Sequence, residues 1–232
     1  IVPTGNTALK MLCGVGEITK RRGSPLTLAK EWLDLLEEPP WVIPTYHPAY
    51  IMRLPFKGKE SYGVALTTFN RDLRKVRRFL EEPGLKPLVR QLRIKPNLEK
   101  ALAFLSDCGQ SCFLTFDTET RRDQISCIAF ARSATEALSI PIWDGWFSYW
   151  PAEDELKIWQ AIRKLMESDV PKIAHNVQFD LLFLRQHGIS AKNVFLDTAA
   201  LHKLLWPELP KSLAYLASIY TLEPYWKDVS GK

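Results

Sequence analysis

The sequence predicts an α/β fold built on a mixed sheet, and three observations lead there. Apolar, β-branched and aromatic runs at residues 113–116, 125–131 and 137–142 read as consecutive strands of a β-meander. Downstream the pattern alternates: a helix over 153–167, a short strand from Lys172, a helix from near Asn176 to His187, a strand at 194–198 and further helices. Carboxylates stand at strand and helix ends, at Asp117, Glu119, Asp180 and Asp197.

Composition bounds the function. The 232 residues are 46% hydrophobic and 25% charged, which supports a packed core and argues against disorder. A net charge of +5 favours a polyanionic partner. Cys13, Cys108, Cys112 and Cys127 form no C-x-x-C pair and read as reduced thiols of a cytoplasmic protein. No run of eighteen apolar residues and no secretory leader is present, so no membrane partner is expected. The chain opens without Met, at Ile1-Val2-Pro3-Thr4, and reads as a fragment at both ends.

In chain order, a Gly5-Asn6 turn leads to a short helix capped by Thr7 and stopped by Gly14. Lys20-Arg21-Arg22-Gly23 is a basic turn, either a solvated loop or a phosphate contact. Leu28, Trp32, Leu35 and Leu36 have helical spacing. Residues 41–50 read as a strand running into a loop that Pro44 and Pro48 stiffen, with His47 at its tip. The next helix, from Thr67 or Asn70, has an apolar stripe of Leu73, Val76 and Leu80. Arg71, Arg74, Lys75 and Arg78 fill the rest of it, either a solvated face or a phosphate-tracking surface. A basic, Pro-punctuated linker is expected at 83–96, dividing a region 1–82 from a domain 97–232. The aromatic loop of Trp143, Trp146, Phe147, Tyr149 and Trp150 reads as packing, with base stacking as the other reading.

The chemistry centres on Phe113-Leu114-Thr115-Phe116-Asp117-Thr118-Glu119-Thr120. Residues two apart on a strand share a face, so Asp117 and Glu119 form a carboxylate pair. Such a pair repels itself unless a cation intervenes, and hard oxygen donors suit Mg²⁺. In Ala174-His175-Asn176-Val177-Gln178-Phe179-Asp180, Asn176 reads as an N-cap, and Asp180 lies one turn into the helix.

These two stretches, followed by Leu196-Asp197-Thr198, resemble the DEDD superfamily of 3′→5′ exonucleases, in particular the proofreading domain of family A DNA polymerases. The resemblance covers residues 97–228. It implies an RNase H-like mixed sheet with flanking helices and hydrolysis of DNA phosphodiester bonds from a single-stranded 3′ end. Two Mg²⁺ or Mn²⁺ ions would be held by Asp117, Glu119 and Asp180, and a polymerase domain would lie in the same parent chain. Asp117 would bridge both ions, and Glu119 would hold the one that activates water. His175 would be structural, and Asp197 would tie down its own helix start. The family's third motif, Y-x-x-x-D, has its nearest candidate in Tyr225-Trp226-Lys227-Asp228, one residue too short, so the chain is expected to stop before that motif.

The segments Gly5–Lys10, Ile18–Gly23 and Pro44–Arg53 are similar to the C-terminal part of the uracil-DNA glycosylase superfamily, family 4 type. That resemblance covers residues 1–80 and implies a partial α/β region in which His47 and Pro48 form a loop entering the minor groove. The family's first motif and its cluster cysteines are unmatched. The alternative to an exonuclease is therefore a non-catalytic DNA-binding fragment, and a third reading is a ribonuclease of the RNase D type. A bacterial or phage-infected cell would suit the arrangement.

Overall fold

The computed structural model describes residues 1–54, 59–82, 85 and 88–227, grouped into two compact units. One unit comprises Ile1–Pro87 with His202–Lys232, and the other is Leu88–Leu201. The chain carries helices α1 (Asn6–Cys13), α2 (Ile18–Arg21), α3 (Lys30–Leu33), α4 (Pro48–Arg53) and α5 (Lys59–Glu81) before its sheet. Strand β1 (Gln91–Ile94) and helix α6 (Leu98–Cys108) follow. The meander is β2 (Leu114–Arg121), β3 (Gln124–Ala131) and β4 (Glu136–Pro141). Next come α7 (Ala152–Met166), β5 (Lys172–Ala174), α8 (Gln178–Gln186) and β6 (Val194–Asp197), then α9 (Thr198–Leu205) and α10 (Leu213–Tyr220).

The unit Leu88–Leu201 is a mixed α/β layer structure of the RNase H-like type. Its six strands run in the order β1-β4-β3-β2-β5-β6. β3 is antiparallel to β2 and β4, while β2–β5, β5–β6 and β1–β4 are parallel. The apolar stripe of α6 (Ala101, Phe104, Leu105) and that of α7 (Ile158, Ile162, Leu165, Met166) pack in one core with Leu114, Phe116, Ile128, Phe130 and Ile140 of the sheet. Helical periodicity meets strand alternation there, as the spacing predicted. The segment read as linker holds β1, an exposed edge strand pairing Gln91 to Ile94 with Glu136 to Ser139. It escaped notice because an edge strand has no buried face to impose alternation.

In the other unit, α5 begins well before Thr67, and the helical spacing around Leu28–Leu36 yields only the single turn of α3. The strand expected at 41–43 reduces to isolated bridges, Leu26 with Val42 and Thr4 with Thr45. Gly5 rather than Thr7 is the N-cap of α1, and at φ 87° it suits glycine. The basic turn is neither solvated nor free for phosphate at Arg22. Its guanidinium is 2% exposed and grips Asp72, itself 1% exposed, with Nη2–Oδ1 2.5 Å and Nε–Oδ2 2.8 Å. Thr45 Oγ1 donates to the same carboxylate at 2.8 Å. All four cysteines are free thiols, and among the described residues no helix is long and apolar enough to cross a membrane.

Candidate active site

β2 places the carboxylates. Its burial alternates, with Leu114, Phe116 and Thr118 buried and Asp117 and Glu119 exposed, so the two acids share the open face as their spacing required. β5 pairs with β2 only at Leu114↔Lys172 and Thr115↔Ile173. Beyond that point the strands part, and the Thr118 N–H needs another acceptor. Asp180 supplies it: its Oδ1 accepts from Thr118 N at 2.7 Å and from Thr118 Oγ1 at 2.7 Å.

Asp180 is therefore brought to the strand that carries Asp117 and Glu119, but to the buried residue between them. It is 2% exposed, and burial pushes its carboxyl up from the usual range against the pull of the Thr118 bonds. Among the described residues no three His, Cys, Asp or Glu side chains gather into a group that could hold a metal ion. Asp117 and Glu119, open to water, fit a hard cation that keeps most of its hydration shell. Asp180 fits as an acceptor that fixes the strand end. Asp228 lies outside the described residues.

The turn before α8 differs from the expected N-cap. Asn176 sits at φ 59° in the left-handed region, which Asn tolerates, and Val177 is the N-cap residue without a side-chain bond. Asp197 holds the turn that leads into α8: its carboxylate accepts from Asn176 N at 2.9 Å and Val177 N at 3.0 Å. It also accepts from Ala199 N at 2.8 Å and Ala200 N at 3.3 Å, so it ties down its own helix start as well. Burial works to raise the Asp197 pKa, but these four N–H groups outweigh it and the pKa lies below the usual carboxylate range. His175 Nδ1 meets Thr198 Oγ1 at 2.9 Å, a structural placement.

The basic face of α5 is sorted by burial. Lys75 is 8% exposed and its charge turns inward. Its ammonium donates to Gly23 O at 2.7 Å, Thr221 O at 2.7 Å and Ser218 O. Burial and the nearby Arg22 charge lower its pKa to about 8. Arg71 lies 4.3 Å over the Trp206 ring, and exposed Arg78 pairs with Glu82 at 3.1 Å. Arg74 is exposed, and no ion pair forms on it among the described residues. Arg71, Arg74, Lys75 and Arg78 line a groove with Tyr220. His47 is exposed, and its Nδ1 accepts from Ala49 N at 3.1 Å as the N-cap of α4, with Pro48 at N1. Sequence reasoning missed an open cleft of about 950 Å³ between Tyr46, Tyr50, Thr67 and Trp206. Its walls are far apart in sequence, and no local pattern announces it.

On β2, a central strand of the mixed sheet, two carboxylates are exposed, and Asp180 of α8 braces the residue between them. Residues 89–230, more than half of the chain, match the 3′-5′ exonuclease family, and the chain belongs to that family. It is thus a hydrolase of the nuclease class, and its family acts on nucleic acid. No curated protein matches the chain. Among solved structures it is similar to the catalytic core of RRP6 from Trypanosoma brucei, at 15% identity and TM-score 0.46, over 59% of this chain and 36% of that one. It is also similar to Escherichia coli RNase D, an exoribonuclease, at 16% identity and TM-score 0.44, over 62% and 36%. The POL domain of Pol1 from M. smegmatis, in complex with DNA primer-template and dNTP, is similar at 19% identity and TM-score 0.39, over 50% and 20%. The chain spans only about a third or less of the length of these three.

Proposed function

We propose that this chain is the proofreading-type part of a family A DNA polymerase, removing nucleotides from a single-stranded 3′ end of DNA. The observation that carries the reading is the carboxylate arrangement on β2: Asp117 and Glu119 exposed side by side, with Asp180 hydrogen-bonded to Thr118 between them. Mg²⁺ or Mn²⁺, two ions per site on the family pattern, would supply an activated water and charge stabilisation for the leaving 3′-oxygen. Asp117, Glu119 and Asp180 would hold the metal. Asp180 fixes the β2 end, and Asp197 fixes the turn from which α8 presents Asp180. The exposed Arg74, with Arg71 and Arg78, would track phosphates.

Residues 1–82 are read as a remnant related to the uracil-DNA glycosylases, with exposed His47 and Pro48 on its DNA-facing loop. That relation favours DNA over the RNA substrate of an RNase D-type enzyme, and a bacterial or phage-infected cytoplasm suits both. The alternative is a DNA-binding fragment that does not cut.

The test is degradation of 5′-labelled single-stranded DNA and RNA with Mg²⁺ or Mn²⁺ by the chain and by Asp117→Ala. A DNA ladder shortening from the 3′ end, lost in the variant, is the expected result. Faster cutting of RNA would move the assignment to the ribonuclease type. No ladder from the unaltered chain, or an equal one from both, would overturn the proposal.

A further inference from the structure

The aromatic loop after β4 does not pack as a unit. Trp150 is its anchor: it is buried, and its Nε1 donates to Pro141 O at 2.6 Å. Trp146 and Phe147 point the other way and are 67% and 76% exposed. Leaving two large aromatic side chains in water forgoes the burial that normally governs such residues.

The loop nonetheless holds them in one arrangement. The Asp144 carboxylate accepts from Trp146 N at 2.7 Å and Phe147 N at 2.8 Å, and Asp144 N donates to Phe147 O at 3.1 Å. Trp143 and Ser148 close the base of the loop as an antiparallel bridge. At the apex Gly145 has φ 107°, and a Cβ there would meet Arg121 Nε at 2.9 Å, so the loop lies flush against the β2–β3 hairpin. Arg121 donates to Asp144 O and Arg122 to Gly145 O. The hairpin turn is Arg122-Asp123, both in the left-handed region at φ 50° and 58°, as a two-residue primed turn demands. It sets the Arg122 guanidinium 4.1 Å over one face of the Trp146 ring.

The hairpin also fixes where this assembly sits. Arg121 ends the strand that carries Asp117 and Glu119, two residues beyond Glu119, or about 7 Å along β2 at a strand's rise per residue. Ser126 Oγ donates to Glu119 O at 3.0 Å, while Ser126 O accepts from Ile142 N and Trp143 N, so the loop base and the carboxylate strand are joined through one residue.

We propose that Trp146 and Phe147, with Arg122 behind the Trp146 ring, form a stacking platform for unpaired bases of the nucleic-acid strand whose end lies at Asp117 and Glu119. This rests on the exonuclease reading of that pair. Aromatic faces stack on any base, which suits an enzyme that degrades without regard to sequence. Arg122 adds a cation–π contact and a positive charge for the backbone. Because the loop is already ordered, little entropy is lost when a base docks.

The test uses the full chain in EDTA, so that binding is read without cleavage, and fluorescence anisotropy of a 5′-labelled oligothymidylate. Trp146→Ala with Phe147→Ala should weaken binding about 10-fold or more, and Trp146→Phe should retain most of it. An oligothymidylate with abasic 3′-terminal positions should bind the chain and the double variant alike. Quenching of tryptophan fluorescence by the intact oligonucleotide should shrink in Trp146→Phe, a readout that survives even if the double variant folds poorly. Equal binding of the intact strand by chain and double variant, loss of affinity that is the same for the abasic strand, or undiminished quenching in Trp146→Phe would each overturn the platform. Failure of the catalytic reading shows separately, as Mg²⁺-dependent cleavage that is absent or indifferent to Asp117→Ala.

Discussion

Asp197→Ala probes how the turn bearing Asp180 is held. Asp197 Oδ1 accepts from Asn176, Ala199 and Ala200 N–H, and Oδ2 accepts from Val177 N–H. One carboxylate thus caps α9 and ties down the turn that leads into α8. A side-chain cap contributes about 0.5–2 kcal/mol and hydrogen bonds to a charged group about 1.5–3 kcal/mol, so losing the cap and the turn's bonds together should cost about 2–3 kcal/mol. Asp197→Asn is the graded case. Its amide oxygen at the Oδ1 position keeps three acceptor contacts, while its NH₂ faces Val177 N–H, donor against donor, so about half the loss is expected. The pH dependence has a definite sign. Burial would raise the Asp197 pKa, but the four N–H groups outweigh it, so the folded pKa lies below the unfolded one. The stability it contributes is present above the unfolded pKa, near 4 as an order of magnitude, and is lost as pH falls through the folded value. Urea denaturation of the unaltered chain and Asp197→Ala should differ by a constant amount near neutrality and converge in acid. A difference below about 0.5 kcal/mol, or one that does not narrow on acidification, would refute the reasoning on Asp197.

Further outcomes are expected at Asp180, Lys75 and Arg74. Asp180→Ala leaves the buried Thr118 N–H without its acceptor and should cost about 1–3 kcal/mol, whereas Asp180→Asn keeps an oxygen there and costs less. Burial raises the Asp180 pKa, so its favourable contribution is complete below the unfolded pKa and lost as pH rises through the folded one; Asp180→Asn should remove that slope in a denaturation series. Lys75→Met removes the donor to the carbonyls of Gly23, Ser218 and Thr221 and should destabilise by about 1–3 kcal/mol in the same assay. Exposed Arg74→Ala should leave stability within about 0.5 kcal/mol and instead reduce the salt slope of DNA binding by about one.

What the sequence by itself determined lies in short-range pattern. The meander, α7 and the pairing of Asp117 with Glu119 on one strand face follow from periods of two and 3.6, which local backbone geometry imposes. The order of motifs sufficed to indicate the family. What only the tertiary structure decided are the contacts between residues far apart in the chain. Lys75 and Arg74 are neighbours with equal charge, and only the surrounding carbonyls of Gly23, Ser218 and Thr221 make one a buried tie and leave the other in solvent. Asp180 reaches Thr118 because β5 stops pairing with β2 after Thr115, an event no local spacing records. Trp146 and Trp150 belong to one aromatic run, yet a carboxylate at Asp144 and a glycine at 145 turn the first outward while Pro141 anchors the second. Burial is a property of the whole assembled chain, and so the sequence offered the side chains while the packing chose which of them face water.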